Sequence, residues 1–325
     1  MARVREWQPC GRRSTALVRF TAASMTVAAM MGCGDDDRPG PTGMDQSAGA
    51  IQLAVTAATP PGIVFSSSQL PLTQLNSVNT GLVYTPTPSN LLSFLAQVKS
   101  KNGRVLIKLA GGENTYKDPG GGFNLDKWKA GVARYKNIDF SSYVADGTIV
   151  GHYLVDEPHF DGRWGGKVIP PATLEEMARH SKSLYPTLIT LVNAPANYLA
   201  QATVSYVYLD AAWAMYRSIT STSPGAWVAQ QAKRAKSKGL GLVAGMNVLD
   251  GGNGSSGLRG TQPRTWMMSA AELRSYGTAL LSQSYVCAFS MWQYNSTYYS
   301  RADVKSAMAD LSALARNHAQ TSCRQ

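Results

Sequence analysis

From Gly62 onward, short apolar runs alternate with longer amphipathic stretches. The runs are Ile63–Phe65, Gly81–Tyr84, Arg104–Leu109, Ile149–Val155, Leu188–Val192, Val204–Leu209, Leu240–Met246 and Val286–Met291. Their length and their β-branched or aromatic content predict buried strands. The intervening stretches predict helices. Thr173-Leu174-Glu175-Glu176, Ser269-Ala270-Ala271-Glu272 and Ser300-Arg301-Ala302-Asp303 have the form of helix caps. Ser223-Pro224 opens a further helix that Gly239 closes, and Leu91–Ser100 stops before Gly103. A short helix over Leu70–Val78 follows the first run. Eight strands, each followed by a helical stretch, predict one α/β domain over residues 61–325, a (β/α)8 TIM barrel. An open doubly wound sheet is the alternative, but no Gly-rich nucleotide turn follows the first strand.

Connection lengths add to this. Helix-to-strand links are terse: Lys101–Gly103, Asp146-Gly147, Tyr185-Pro186 and Lys238-Gly239. Strand-to-helix links are long: Gly111–Phe123, His159–Pro171 and Asp250–Met268. In a barrel the long loops gather on one rim, where sites of this fold are built.

The fourth run, Gly151-His152-Tyr153-Leu154-Val155-Asp156-Glu157-Pro158, ends in two adjacent carboxylates and a proline that stops the strand. Two acids at a buried strand mouth are costly to desolvate, which points to chemistry; a capping pair is the other reading. The remaining strand ends offer Lys108, Glu113, Asn193, Tyr208, Asp210, Asn247, Asp250, Trp292, Gln293 and Tyr294. Asp210 also suits hydrogen bonding within the barrel, and Asp250, heading Gly251-Gly252-Asn253-Gly254, also suits a turn. Trp164, Trp213, Tyr216, Trp266, Tyr298 and Tyr299 fall at the same rim. Carboxylates beside flat aromatic faces suit a carbohydrate site. His152 reads as a core residue. His159 with Asp161 gives two metal-ligand types without further spacing, so no metal or other cofactor is expected.

A barrel whose fourth strand ends in Glu-Pro resembles the glycoside hydrolase superfamily. The resemblance covers roughly residues 62–318 and implies that Glu157 is the acid/base. Two departures stand out. Asp156 occupies the place of an asparagine, and no glutamate lies between Glu176 and Glu272 to serve as the strand-seven nucleophile. Asp250, Asp210 or Asp156 would then supply the second carboxylate. The Asp156-Glu157 pair is also similar to hexosaminidases that use the substrate's own acetamido group. Trp292-Gln293-Tyr294, with Lys108 and Thr115-Tyr116-Lys117-Asp118-Pro119, resembles lysozyme-like muramidases, but the strand-one aspartate of those enzymes is lacking. A barrel that binds glycans without cutting them, and a metal-dependent hydrolase, are the rival functions.

Residues 1–32 carry Arg3, Arg5, Arg12, Arg13 and Arg19, then an apolar run from Phe20 to Met31. With Gly32-Cys33 this resembles a bacterial lipoprotein signal, implying lipidation at Cys33 and a cell-envelope location. A plain secretory signal is the alternative. Residues 33–60 read as a flexible tether, with a short edge strand over Ile51–Val55. The formal charge of +11 owes part of its size to the signal segment. The rest is dispersed, apart from Lys233, Arg234, Lys236 and Lys238 on one helix face. Without an RNA-type aromatic motif, zinc spacing or P-loop, nucleic acid is not an expected partner. The expected partners are a carbohydrate substrate and, through the lipid alone, a membrane; the chain is expected to be a monomer. Cys287 at a strand start and Cys323 beyond the last helix are placed to pair in an oxidising compartment.

Overall fold

The computed structural model describes residues 61–319 apart from 221, together with 322 and 323. The signal segment, Cys33 and the tether lie outside the described residues. Eight parallel strands close a barrel in sequence order. They are β1 (Val64–Ser68), β2 (Gly81–Tyr84), β3 (Arg104–Ile107), β4 (Ile149–Asp156), β5 (Thr190–Asn193), β6 (Ala211–Tyr216), β7 (Gly241–Met246) and β8 (Val286–Met291). The helices are α1 (Leu91–Ser100), α2 (Leu125–Ala133), α3 (Ser141–Ala145), α4 (Pro171–Leu184), α5 (Ala196–Ala200), α6 (Pro224–Lys236), α7 (Ala270–Leu281), α8 (Ser296–Ser300) and α9 (Ala302–Asn317). Only a 3-10 turn, Leu72–Gln74, occupies the stretch after β1. Among the described residues no helix is long and apolar enough to cross a membrane.

Inward-facing Val64, Leu106, Tyr153, Leu191, Ala211, Trp213, Val243 and Ala288 fill the barrel, while a larger apolar shell packs between strands and helices. Trp213 is therefore core, not a rim platform. Its indole N–H donates to the Ser290 carbonyl at 3.1 Å, across Gly245, where any Cβ would collide with that same carbonyl. At the opposite end from the long loops, Cys287 and Cys323 are disulfide-bonded with Cα atoms 5.2 Å apart. Gly241 lets the Cys323 backbone lie against the start of β7.

One predicted strand is displaced. Val204–Leu209 is irregular, and β6 begins at Ala211. The true strand, Ala-Ala-Trp-Ala-Met-Tyr, is alanine-rich and weak in β-propensity, whereas the run before it looks strand-like but leaves Val207 exposed. The correction moves Asp210 and Tyr208 from the rim to the opposite end of the barrel. There Asp210 accepts from the Thr190 amide at 2.8 Å and pairs with Lys182 Nζ at 2.6 Å. Neither residue belongs to a rim site.

Candidate functional site

β4 departs from strict alternation next to the site. Its register with β5 slips between Tyr153 and Asp156. Leu154 and Val155 both pack outward, so Tyr153 and Asp156 both turn toward the barrel axis. The Tyr153 hydroxyl donates to Asp156 Oδ1 at 2.5 Å. Asn193, at the end of β5, donates to the same oxygen at 2.6 Å. Arg163, from the loop after β4, donates to Oδ2 at 2.7 Å. Asp156 is thus a buried carboxyl group met by three donors, as a buried polar group requires.

Glu157 follows with φ +40°, in the left-handed region that costs a non-glycine residue about 1–2 kcal/mol. Its neighbours hold it in place. Its amide donates to the Asn193 carbonyl at 3.0 Å, and its carbonyl accepts from the Phe160 amide and the Trp164 indole. The side chain is left half-buried at the strand mouth, with Arg163 Nε 3.6 Å from its carboxylate. Burial, and then the charge of Asp156, raises its pKa above the usual glutamate value, with Arg163 opposing.

Around this strand mouth lies a cleft of two lobes that share Asp156, Arg163 and Trp292. The lobe toward β1–β3, about 410 Å³, includes Gln69, Thr85, Lys108 and Glu113 in its lining. The lobe toward β5–β7, about 560 Å³, holds Glu157, His159, Asn193, Arg217, Asn247 and Asp250. Lys108 Nζ sits 4.9 Å above the Tyr153 ring. Burial lowers its pKa, while Asp156 and Glu113 work against that. Glu113 is shared by Lys117 at 3.5 Å and Arg163 at 3.4 Å.

Asp250 reaches the cleft wall, but its carboxylate organises the loop after β7. It accepts from the amides of Thr261 and Gln262 at 2.6 and 2.9 Å and from the hydroxyls of Thr261 and Thr265 at 2.6 and 2.7 Å. Asn247, at the end of β7, accepts from the Asp250 amide at 2.9 Å. Of the strand-eight trio, Trp292 lines the cleft while Gln293 and Tyr294 do not. Trp164, Tyr216, Tyr298 and Tyr299 are buried in the apolar shell and Trp266 lies under Arg259 outside the cleft lining, so the aromatic side chains that line the cleft are Trp292, Tyr153 and the exposed Phe160. His152 is a satisfied core residue: the Leu109 amide donates to Nε2, so the proton rests on Nδ1 facing Ser181 Oγ at 2.8 Å. His159 lines the larger lobe, but among the described residues no group of three His, Cys, Asp or Glu side chains gathers as a metal site.

Sequence reasoning missed two cations. Arg163 could have been found by charge balance, since two buried acids need a counter-ion and this arginine stands in the next loop. Arg217, just past β6, was hidden by the misplaced strand.

No family model and no curated protein sequence matches the chain. Solved structures do. A β-glucanase from Saccharophagus degradans is similar with a TM-score of 0.53 at 9% identity, covering 79% of this chain and 88% of its own. A Bacteroides thetaiotaomicron protein assigned as an alpha-L-fucosidase is similar with a TM-score of 0.50 at 10% identity, covering 81% and 98%. The structural neighbours are glycoside hydrolase barrels. At these identities the likeness is one of fold.

Proposed function

We propose that this protein hydrolyses an O-glycosidic bond in a poly- or oligosaccharide, with Glu157 as general acid. The observation that supports this most is Glu157 itself: half-buried in a cleft, held at the end of β4 in a strained backbone, and raised in pKa beside Asp156. A glutamic acid that keeps its proton can give it to the departing sugar oxygen as the C–O bond breaks, and can recover one from the incoming water. Asp210 is out of reach and Asp250 is engaged by its loop; of Asp156 and Glu113, the other carboxylates lining the cleft, Asp156 is the one next to Glu157 at the end of the same strand. That adjacency favours the acetamido-assisted version, in which the substrate's own amide oxygen attacks and Asp156 steadies the group.

A second reading is a barrel that binds glycans without cleaving them. It is favoured by the engagement of Asp156, Glu113 and Asp250 with protein donors. A product profile over a polysaccharide panel, run with wild type and Glu157→Gln, separates the two. Products that fall ~10²–10⁴-fold in the variant while binding persists support the hydrolase. Binding by both proteins with no products from either supports the binder, and cleavage restricted to N-acetylated sugars supports acetamido assistance. We also propose export with lipidation at Cys33; Cys33→Ser should then move the protein from the membrane to the soluble fraction.

A further inference from the structure

The charges lining the cleft are unevenly paired. Arg163 serves three carboxylates, Asp156, Glu113 and Glu157, at 2.7 to 3.6 Å. Asp250 spends its charge on two amides and two hydroxyls. Glu113 also faces Lys117. What remains is one cation in each lobe that makes no ion pair within 4.0 Å among the described residues; Asp156 and Glu113 act on Lys108, and Glu157 on Arg217, only at longer range. In the smaller lobe, Lys108 extends over the Tyr153 ring. In the larger lobe, Arg217 is tethered only by a 3.3 Å bond from Nη2 to the Asp250 backbone carbonyl, and its Nε–H has no acceptor. A guanidinium held by a neutral carbonyl keeps its full charge for whatever enters the lobe. Glu157, the acid nearest Arg217 in this lobe, already lies 3.6 Å from Arg163 Nε.

We infer that the cleft is built for an anionic glycan, with Lys108 and Arg217 each receiving an acidic group on sugars either side of the Asp156–Arg163–Trp292 ridge. This rests on the carbohydrate reading above and names its substrate class. Trp292, common to both lobes, offers its ring to the sugar that bridges them. The acidic group is a uronate carboxylate or a sulfate ester. A strand bearing charge at intervals would meet a cation in both lobes, whereas a neutral glycan would desolvate both cations without giving either an ion-pair partner. Residues 33–325 keep a formal charge of +7 once the five arginines and Glu6 of the signal segment are set aside, which favours approach of such a polyanion at low salt.

The test is calorimetric binding to the Glu157→Gln full chain, which removes cleavage from the measurement. The probes are tetrasaccharides of a polyuronate, of a sulfated galactan and of neutral cellulose, each at low and high salt. Tighter binding of either acidic probe by about tenfold or more, weakened by salt, is expected and identifies the charged group. Arg217→Gln and Lys108→Gln should each reduce that preference. Equal or tighter binding of the neutral probe overturns the inference, as does an acidic preference that survives both substitutions. The salt and selectivity measurements need neither of those substitutions. Wild type that cleaves only neutral glycans sinks this inference alone; acidic glycans bound but never cut by wild type sink only the hydrolase.

Discussion

Arg163 Nη1 lies 2.7 Å from Asp156 Oδ2, and this ion pair sets the charge balance at the mouth of β4. The two residues act on Glu157 with opposite signs: the Asp156 charge raises its pKa and Arg163 lowers it.

Opposite substitutions should therefore move the pH profile in opposite directions. A general acid works while protonated, so the alkaline limb of kcat/KM reports its pKa. Asp156→Asn removes the like charge and should shift that limb to lower pH. Arg163→Met removes the counter-charge and should shift it upward, at a stability cost of roughly 3 kcal/mol for stranding buried Asp156. Limbs that move together, or not at all, would show that Glu157 is not the titrating acid.

Asp210 should matter for folding alone. Its side chain and that of Lys182 are 6% and 12% exposed, 2.6 Å apart, at the end of the barrel away from the cleft. Asp210→Ala removes the carboxylate from the Lys182 ion pair and from the Thr190 amide, and should cost about 3–5 kcal/mol in a denaturant melt. Turnover per folded molecule should stay at the wild-type level, and a selective loss of kcat would return Asp210 to the candidate site.

The same residue shows where the sequence is and is not legible. Seven of the eight strands lie at or within a few residues of their apolar runs, because β-branched residues bounded by turn signals leave few alternatives. Asp156 and Glu157 could be read as acids at a strand mouth because a proline ends their strand. β6 could not, since Ala211, Ala212 and Ala214 carry little strand preference and only the closure of the barrel makes them a strand. One displaced strand then misplaced Tyr208 and Asp210 and concealed Arg217. Asp250 was visible as an acid at the rim, but its commitment to Thr261 and Thr265 depends on how a long loop folds back, which spacing does not encode.

The disulfide should contribute most to holding the C-terminal segment. Cys287 and Cys323 are 36 residues apart, and closing such a loop stabilises by ~3–4 kcal/mol on the chain-entropy model. Cys323 also packs its backbone against Gly241, so the bond fixes the segment over the N-terminal end of the barrel. Cys323→Ser should lower Tm and bring early amide exchange to the end of α9, with the cleft unaffected because it lies at the other end. An unchanged melt under reducing and oxidising conditions would rule this contribution out.

Asp250 offers the sharpest distinction between a loop clamp and a nucleophile. Burial would raise its pKa, but the hydroxyls of Thr261 and Thr265 and the amides of Gln262 and Thr261 outweigh it and hold the carboxyl below the usual aspartate range. A depressed folded pKa means the stabilisation is present above the unfolded value, near 3.9, and is lost as pH falls through the folded value. Asp250→Asn keeps the shape but removes the charge, leaving amides and hydroxyls with a weaker acceptor. It should cost roughly 1–3 kcal/mol at neutral pH. The gap between variant and wild-type melts should narrow in acid, as wild type loses the same contribution. As a clamp, Asp250 affects chemistry only through the loop, so the folded variant should lose no more than about tenfold in kcat. A drop of several orders of magnitude with an unchanged melt would instead make Asp250 the group that attacks the sugar.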